Sequence, residues 1–132
     1  MENTVSIKDR CKSLREAFPD AGYKKLSRIT GVAYGTFRYH TNTAYQENQH
    51  SRLRAKAAKH KFILIQFLGG QCMKCGYRES DALDFHHRNK SQKTTAVSNL
   101  LDGKFENALE EAKKCDLLCA NCHREQHADN SN

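Results

Sequence analysis

Apolar residues recur at helical spacing through the first half of the chain. Over residues 4–18, Val5, Leu14, Ala17 and Phe18, with Cys11 between them, predict a helix that Pro19 and Gly22 bring to an end. Over residues 23–42 two short helices are predicted. Leu26 and Ile29 form the inward face of the first, Gly31 supplies a tight turn, Val32 plugs that turn and Phe37 anchors the second. Residues 44–68 predict a longer helix whose apolar end, Phe62 to Leu68, packs on the second domain and stops at the glycine pair 69–70. Beyond it the pattern shortens. A turn at Cys72–Gly76 leads to a short strand at 82–86, a polar loop at 88–104, a helix at 105–114, a strand at 116–118 and a last helix from 120 to about 128. Residues 129–132 read as a frayed tail. The expected fold class is α+β, mostly α: an N-terminal helical module (1–43), a linker helix (44–61) and a compact α+β domain (62–128).

The segment 23–42 resembles a helix-turn-helix. In that reading Tyr34, Thr36, Arg38, Tyr39 and His40 face outward, where a recognition helix meets the major groove. An ordinary helical hairpin carries the same apolar pattern.

Charge sharpens this division. Residues 1–66 carry 13 lysines and arginines against 5 acids, whereas residues 67–132 carry 9 against 10. A basic N-terminal half attracts polyanions such as nucleic acid. The stretch Arg52, Arg54, Lys56, Lys59, His60 and Lys61 is able to follow a phosphate backbone, or else forms a solvated linker face. No segment approaches the ~20 apolar residues of a membrane span, and the first residues lack the pattern of a signal peptide. A cytoplasmic protein without membrane association is expected.

Six cysteines in such a chain point to metal rather than disulfides. Cys72-x-x-Cys75 and Cys119-x-x-Cys122 each place two thiolates on one turn, and together they complete a four-thiolate site for one structural zinc ion. The spacer of 43 residues makes that site a staple between the start and end of a domain. Cys11 and Cys115 are expected to be small buried hydrophobes. Four of the seven histidines form a second constellation. His86 and His87 are neighbours at a strand end and so point to opposite sides, which suits one ligand and one base. His123 and His127 share one helix face at i, i+4.

The segments Leu83-Asp84-Phe85-His86-His87 and Leu117-Leu118-Cys119-Ala120-Asn121-Cys122-His123-Arg124-Glu125-Gln126-His127 resemble the HNH endonucleases, which belong to the ββα-metal (His-Me finger) nucleases. The resemblance covers about residues 62–128. It implies a DNA endonuclease with His87 as general base. It also implies His86, His123 and His127 as ligands of one catalytic divalent metal (Mg, Mn, Ni or Zn), with Arg88 or Arg124 steadying the phosphate. Imidazole donors favour the transition metals over Mg. The family's middle Asn, which orients the base, usually lies nine residues before the helix histidine; that position is Lys114 here. Its role falls to the Lys114 backbone, to Asn121 or to Asn99. Tyr34, Thr36, Arg38, His40, Arg52, Arg54, Lys56, Arg88 and Arg124 are the expected DNA contacts, and double-stranded DNA is the expected partner of a monomer or homodimer. Small nucleases built this way often resemble phage-encoded enzymes, acting in a bacterial host, or mobile-intron enzymes. The competing reading is a non-catalytic, zinc-stabilised DNA-binding regulator.

Overall fold

The computed structural model describes residues 4–130. Two compact units, Met1–Arg52 and Leu53–Asn132, divide the chain, and the boundary falls inside the stretch read as a linker helix. The architecture is α+β and mostly helical, with a single small sheet among the described residues.

In the first unit, α1 (Ile7–Ala17) starts at Ser6, whose hydroxyl accepts from the Asp9 amide at 3.1 Å. The expected start at residue 4 was too early: Val5 lies outside the helix and is 61% exposed. Phe18 is exposed as well, so α1 contributes Cys11 and, in part, Leu14 to the core. Leu26 from α2 (Tyr23–Thr30) and Phe37 from α3 (Tyr34–Thr41) complete that core, with Val32 packed against it as expected. Ile29 was expected inside but is 60% exposed. The buried stripe of α2 runs through Tyr23, Leu26, Ser27 and Thr30, the i, i+3, i+4, i+7 set, and Ile29 falls off it. Gly31 occupies the left-handed region at φ 69°, the conformation this turn demands. Ser27 Oγ donates to the Val32 carbonyl at 2.6 Å and Thr30 Oγ1 accepts from the Val32 amide at 3.2 Å, closing the turn.

Helix α4 (Thr43–Phe67) is capped by Asn42, whose Oδ1 accepts from the Tyr45 amide at 2.8 Å. At its C-terminal end Gly69 and Gly70 adopt φ 104° and 71°, and the Gly70 amide reaches back to the Ile65 carbonyl at 2.9 Å. That is the helix stop expected of the glycine pair. Only one stripe of the apolar end is buried. Leu64 and Ile65 are enclosed and Leu68 partly so, whereas Phe62, Ile63 and Phe67 face outward.

The second unit is built on an antiparallel pair of strands, β1 (Leu83–His87) and β2 (Cys115–Cys119), in register Leu83↔Cys119 to His87↔Cys115. Both strands depart from the expected ends, because pairing includes His87 and both cysteines of β2. Period-2 alternation sends Leu83 and His87 inward and leaves Asp84 and His86 on the other face. The loop 88–104 contains two short 3-10 turns, Lys90–Gln92 and Val97–Leu100. Helix α5 (Phe105–Ala112) and helix α6 (Ala120–Asp129) flank β2 in sequence. Leu64, Val97, Leu101, Ala108, Ala112 and Cys115 form one cluster, and Ile65, Cys72, Leu83, Leu117 and Cys119 belong to another. Cys11 and Cys115 are buried as expected, and burial raises both thiols, Cys115 to about 11. Of the expected tail, Asp129 belongs to α6, and residues 131–132 lie outside the described residues. No described helix is long and apolar enough to cross a membrane.

Candidate functional site

Backbone hydrogen bonds assemble the cysteine cluster. The Cys72 amide donates to the Tyr77 carbonyl at 2.8 Å and the Gly76 amide to the Cys72 carbonyl at 2.9 Å, forming a tight knuckle with Gly76 at φ 76°. The next amide, Met73, donates to the Leu117 carbonyl at 2.9 Å and ties the knuckle to β2. Cys119 ends β2 and caps α6, its Sγ facing the Cys122 amide at 3.5 Å. All four sulfurs, from Cys72, Cys75, Cys119 and Cys122, lie within 4.8 Å of one another, with Cys75 Sγ and Cys119 Sγ 3.6 Å apart. A disulfide needs about 2.05 Å, whereas the edge of a tetrahedron with metal–sulfur bonds of about 2.3 Å is about 3.8 Å. The donor set and its spacing therefore suit one four-coordinate metal ion. The thiols are also unevenly poised. For Cys72, burial opposes ionisation, but amide donors from Cys119, Cys75 and Lys74 prevail and bring it down to about 6. Its neighbour Cys122 is pushed up to about 12 by its contact with Cys119 and by burial. Thiols packed this closely resist sharing negative charge, which a bound cation would relieve.

The histidine cluster draws on the same helix. His86 on β1 faces His123 and His127 on α6, with ring centroids 5.2 and 5.3 Å away. One ring nitrogen from each of the three lies within 4.8 Å of the others, and His123 Nε2 stands 3.0 Å from His127 Nε2. Burial, then the neighbouring His123 and His127, lowers the proton affinity of His86 and favours the neutral imidazole that binds metal. Asp84, two residues before His86 on the same strand face, sets its Oδ2 3.1 Å from His123 Nδ1. A ligating histidine held through its second nitrogen by a carboxylate is a recurrent metal-site arrangement.

His87 points the other way along β1 and is 9% exposed, yet it borders the same cavity of about 580 Å³ that His86, His123 and His127 line. Its Nε2 lies 2.7 Å from Glu111 Oε1 on α5. None of the three expected orienting groups reaches it. The Lys114 carbonyl accepts from the Arg88 amide, Asn99 Nδ2 donates to Thr95 Oγ1, and Asn121 is exposed on α6. Lys114 is nevertheless close by: its Nζ donates to Glu111 Oε2 at 2.7 Å. Burial alone would raise the Glu111 carboxyl, but hydrogen bonds from Lys114, Thr94, His87 and Thr95 outweigh it and hold the carboxyl at about 2.

Other expected contacts divide sharply. Arg88 is engaged within the fold, donating to the Cys115 carbonyl and to Asp116 Oδ1, each at 2.9 Å, and to the Lys113 carbonyl. It is a strand-end clamp rather than a free phosphate ligand. Arg124, Arg52, Arg54 and Lys56 are exposed. Tyr34 and Thr36 on α3 are open, but Arg38 is not the outward side chain expected: its guanidinium stacks over Tyr45 at 4.4 Å. Tyr39 is likewise occupied, its hydroxyl 2.7 Å from His50 Nε2, and His40 is half-buried.

Sequence spacing did not single out Asp84, Glu111, or Lys90 and Lys93, which join Lys61 of the basic stretch in a lysine rim that lines the cavity. The signal for Asp84 was its i, i−2 relation to His86. For Glu111 it was a carboxylate on the 108/111/112 face of an otherwise apolar helix stripe. The lysines of loop 88–104 carried no local signal. No protein-family model, curated protein or solved structure matches this chain, and its chemistry is read from the site itself.

Proposed function

We propose that the protein is a metal-dependent endonuclease that hydrolyses phosphodiester bonds of double-stranded DNA. One observation carries the reading: a nearly enclosed imidazole, His87, shares a cavity with a three-imidazole cluster suited to a metal ion. Such a pairing joins a proton acceptor to a Lewis-acid site. It also agrees with the resemblance of residues 83–87 and 117–127 to HNH nucleases.

In this reading His87 takes the proton from the attacking water. His86, His123 and His127 hold a divalent ion, which when bound supplies charge neutralisation at the scissile phosphate. Lys61, Lys90 and Lys93 give the cavity wall three cations suited to flanking phosphates. The four cysteines would hold a structural zinc ion and take no part in the chemistry. They keep the start of α6, and with it His123 and His127, against the strand that bears His86. Tyr34 and Thr36 are the open positions of α3 for contact with the duplex.

The test is plasmid cleavage with Mg, Mn, Ni and Zn, comparing wild type with His87→Ala. The expected result is cleavage by wild type and a loss of about 10²–10⁴-fold in the variant. Duplex binding without cleavage under every metal would identify a regulator instead.

A further inference from the structure

We propose that Glu111 is the positioning residue for His87, fixing it as the Nε2-protonated tautomer so that Nδ1 is left as the nitrogen that accepts a proton. This role rests on the reading of His87 as a base and names what orients it.

The donors around one carboxylate set the tautomer. Glu111 is 4% exposed, on the inner stripe of α5. Its Oε2 accepts from Lys114 Nζ at 2.7 Å, and its Oε1 accepts from the Thr94 amide at 2.9 Å and the Thr95 amide at 3.4 Å. Neither an amide N–H nor an ammonium can accept, so every one of these neighbours favours an ionised, acceptor-only carboxylate. His87 Nε2 sits 2.7 Å from the same Oε1. Against an acceptor-only oxygen that nitrogen must be the donor, and a neutral imidazole has one N–H. In the neutral ring, the form that can act as a base, the remaining nitrogen, Nδ1, keeps its lone pair. A neutral ring protonated on Nδ1 instead would set the Nε2 lone pair against a buried carboxylate, which is strongly unfavourable.

Lys114 acquires a purpose here. It holds the far oxygen of Glu111 and Thr94 Oγ1 at 3.2 Å, so the lysine steadies the carboxylate that steadies the histidine. The orienting function assigned to position 114 by family resemblance is thus exercised from three residues earlier in the chain.

The test uses the zinc-loaded full chain and Glu111→Gln, which keeps shape and burial but lets the amide either donate or accept. The expected outcome is a fall in kcat of about 10²–10⁴-fold with KM changed less than about threefold. In ¹⁵N spectra of the imidazoles, wild-type His87 should show protonated Nε2 and bare Nδ1, and the variant should lose that single-tautomer pattern. The spectra need no catalysis, so they test the positioning even if the nuclease reading fails. If His87→Ala is inactive while Glu111→Gln keeps full kcat and unchanged His87 nitrogens, the base stands and the positioning role falls. Should the Gln variant not fold, the wild-type spectrum alone decides: Nδ1-protonated His87 overturns the proposal.

Discussion

Asp84 Oδ2 lies 3.1 Å from His123 Nδ1, so a carboxylate on β1 holds the far side of an imidazole on α6. That contact leaves His123 Nε2 to face His127 and directs it toward the cluster. Carboxylates in this position typically contribute about 10–100-fold to metal affinity. Asp84→Ala is therefore expected to weaken binding of Ni or Zn at the histidine cluster by about that factor in calorimetric titration, with the cysteine-held metal retained. Unchanged affinity would show that His123 needs no such partner.

The two proposed metal sites should be separable. Purified protein is expected to carry one tight zinc that survives His123→Ala and is lost in Cys72→Ala, measured by metal analysis. Because a cage of this kind is formed only by the folded chain, its loss should also lower the thermal midpoint. Zinc bound equally well by the cysteine variant would contradict the staple.

The lysine rim predicts a salt signature. Replacing Lys61, Lys90 and Lys93 with alanine should weaken binding to duplex DNA. It should also reduce the slope of log affinity against log salt by about 0.9 for each phosphate no longer neutralised. Fluorescence anisotropy over a range of salt concentrations gives both quantities. A slope equal to that of wild type would remove these lysines from the phosphate path.

Glu111 predicts a pH dependence with a definite sign. Its carboxyl is held at about 2 against an ordinary 4.5. A depressed carboxyl stabilises the fold fully above its unfolded value, and that contribution is lost as pH falls toward the folded value. Wild type should exceed Glu111→Gln in urea-unfolding stability by about 1.5–3 kcal/mol near neutrality, the range for hydrogen bonds to a charged group. The gap should stay flat above about pH 5 and close as pH falls from about 4.5 toward 2. A gap that widens on acidification would contradict the ionised state of Glu111.

What could be read from the chain was what depends on neighbours in sequence. Cys-x-x-Cys places two thiols on one turn wherever it occurs, and i, i+4 places His123 and His127 on one helix face. The stop at Gly69–Gly70 and the turn at Gly31 also follow from one residue's backbone freedom. Apolar periodicity found the elements but not always their faces. Ile29 and Phe62 are as hydrophobic as their buried neighbours and were excluded only because a helix on one side of a core buries one stripe.

The pairing of His87 with Glu111 was of another kind. The two residues are 24 positions apart on a strand and a helix, and nothing in either segment specifies which side of α5 meets β1. Packing made that choice, by burying Ala108 and Ala112 and so carrying Glu111 inward with them. The same holds for Arg88 and Arg38, which as isolated letters are free cations and in the fold are held by carbonyls and a tyrosine ring. The sequence by itself determined which atoms are able to bind metal, because ligand chemistry and short spacing are local. Only the tertiary structure decided which side chain meets the candidate base, because a buried charge must find its partners wherever packing brings them.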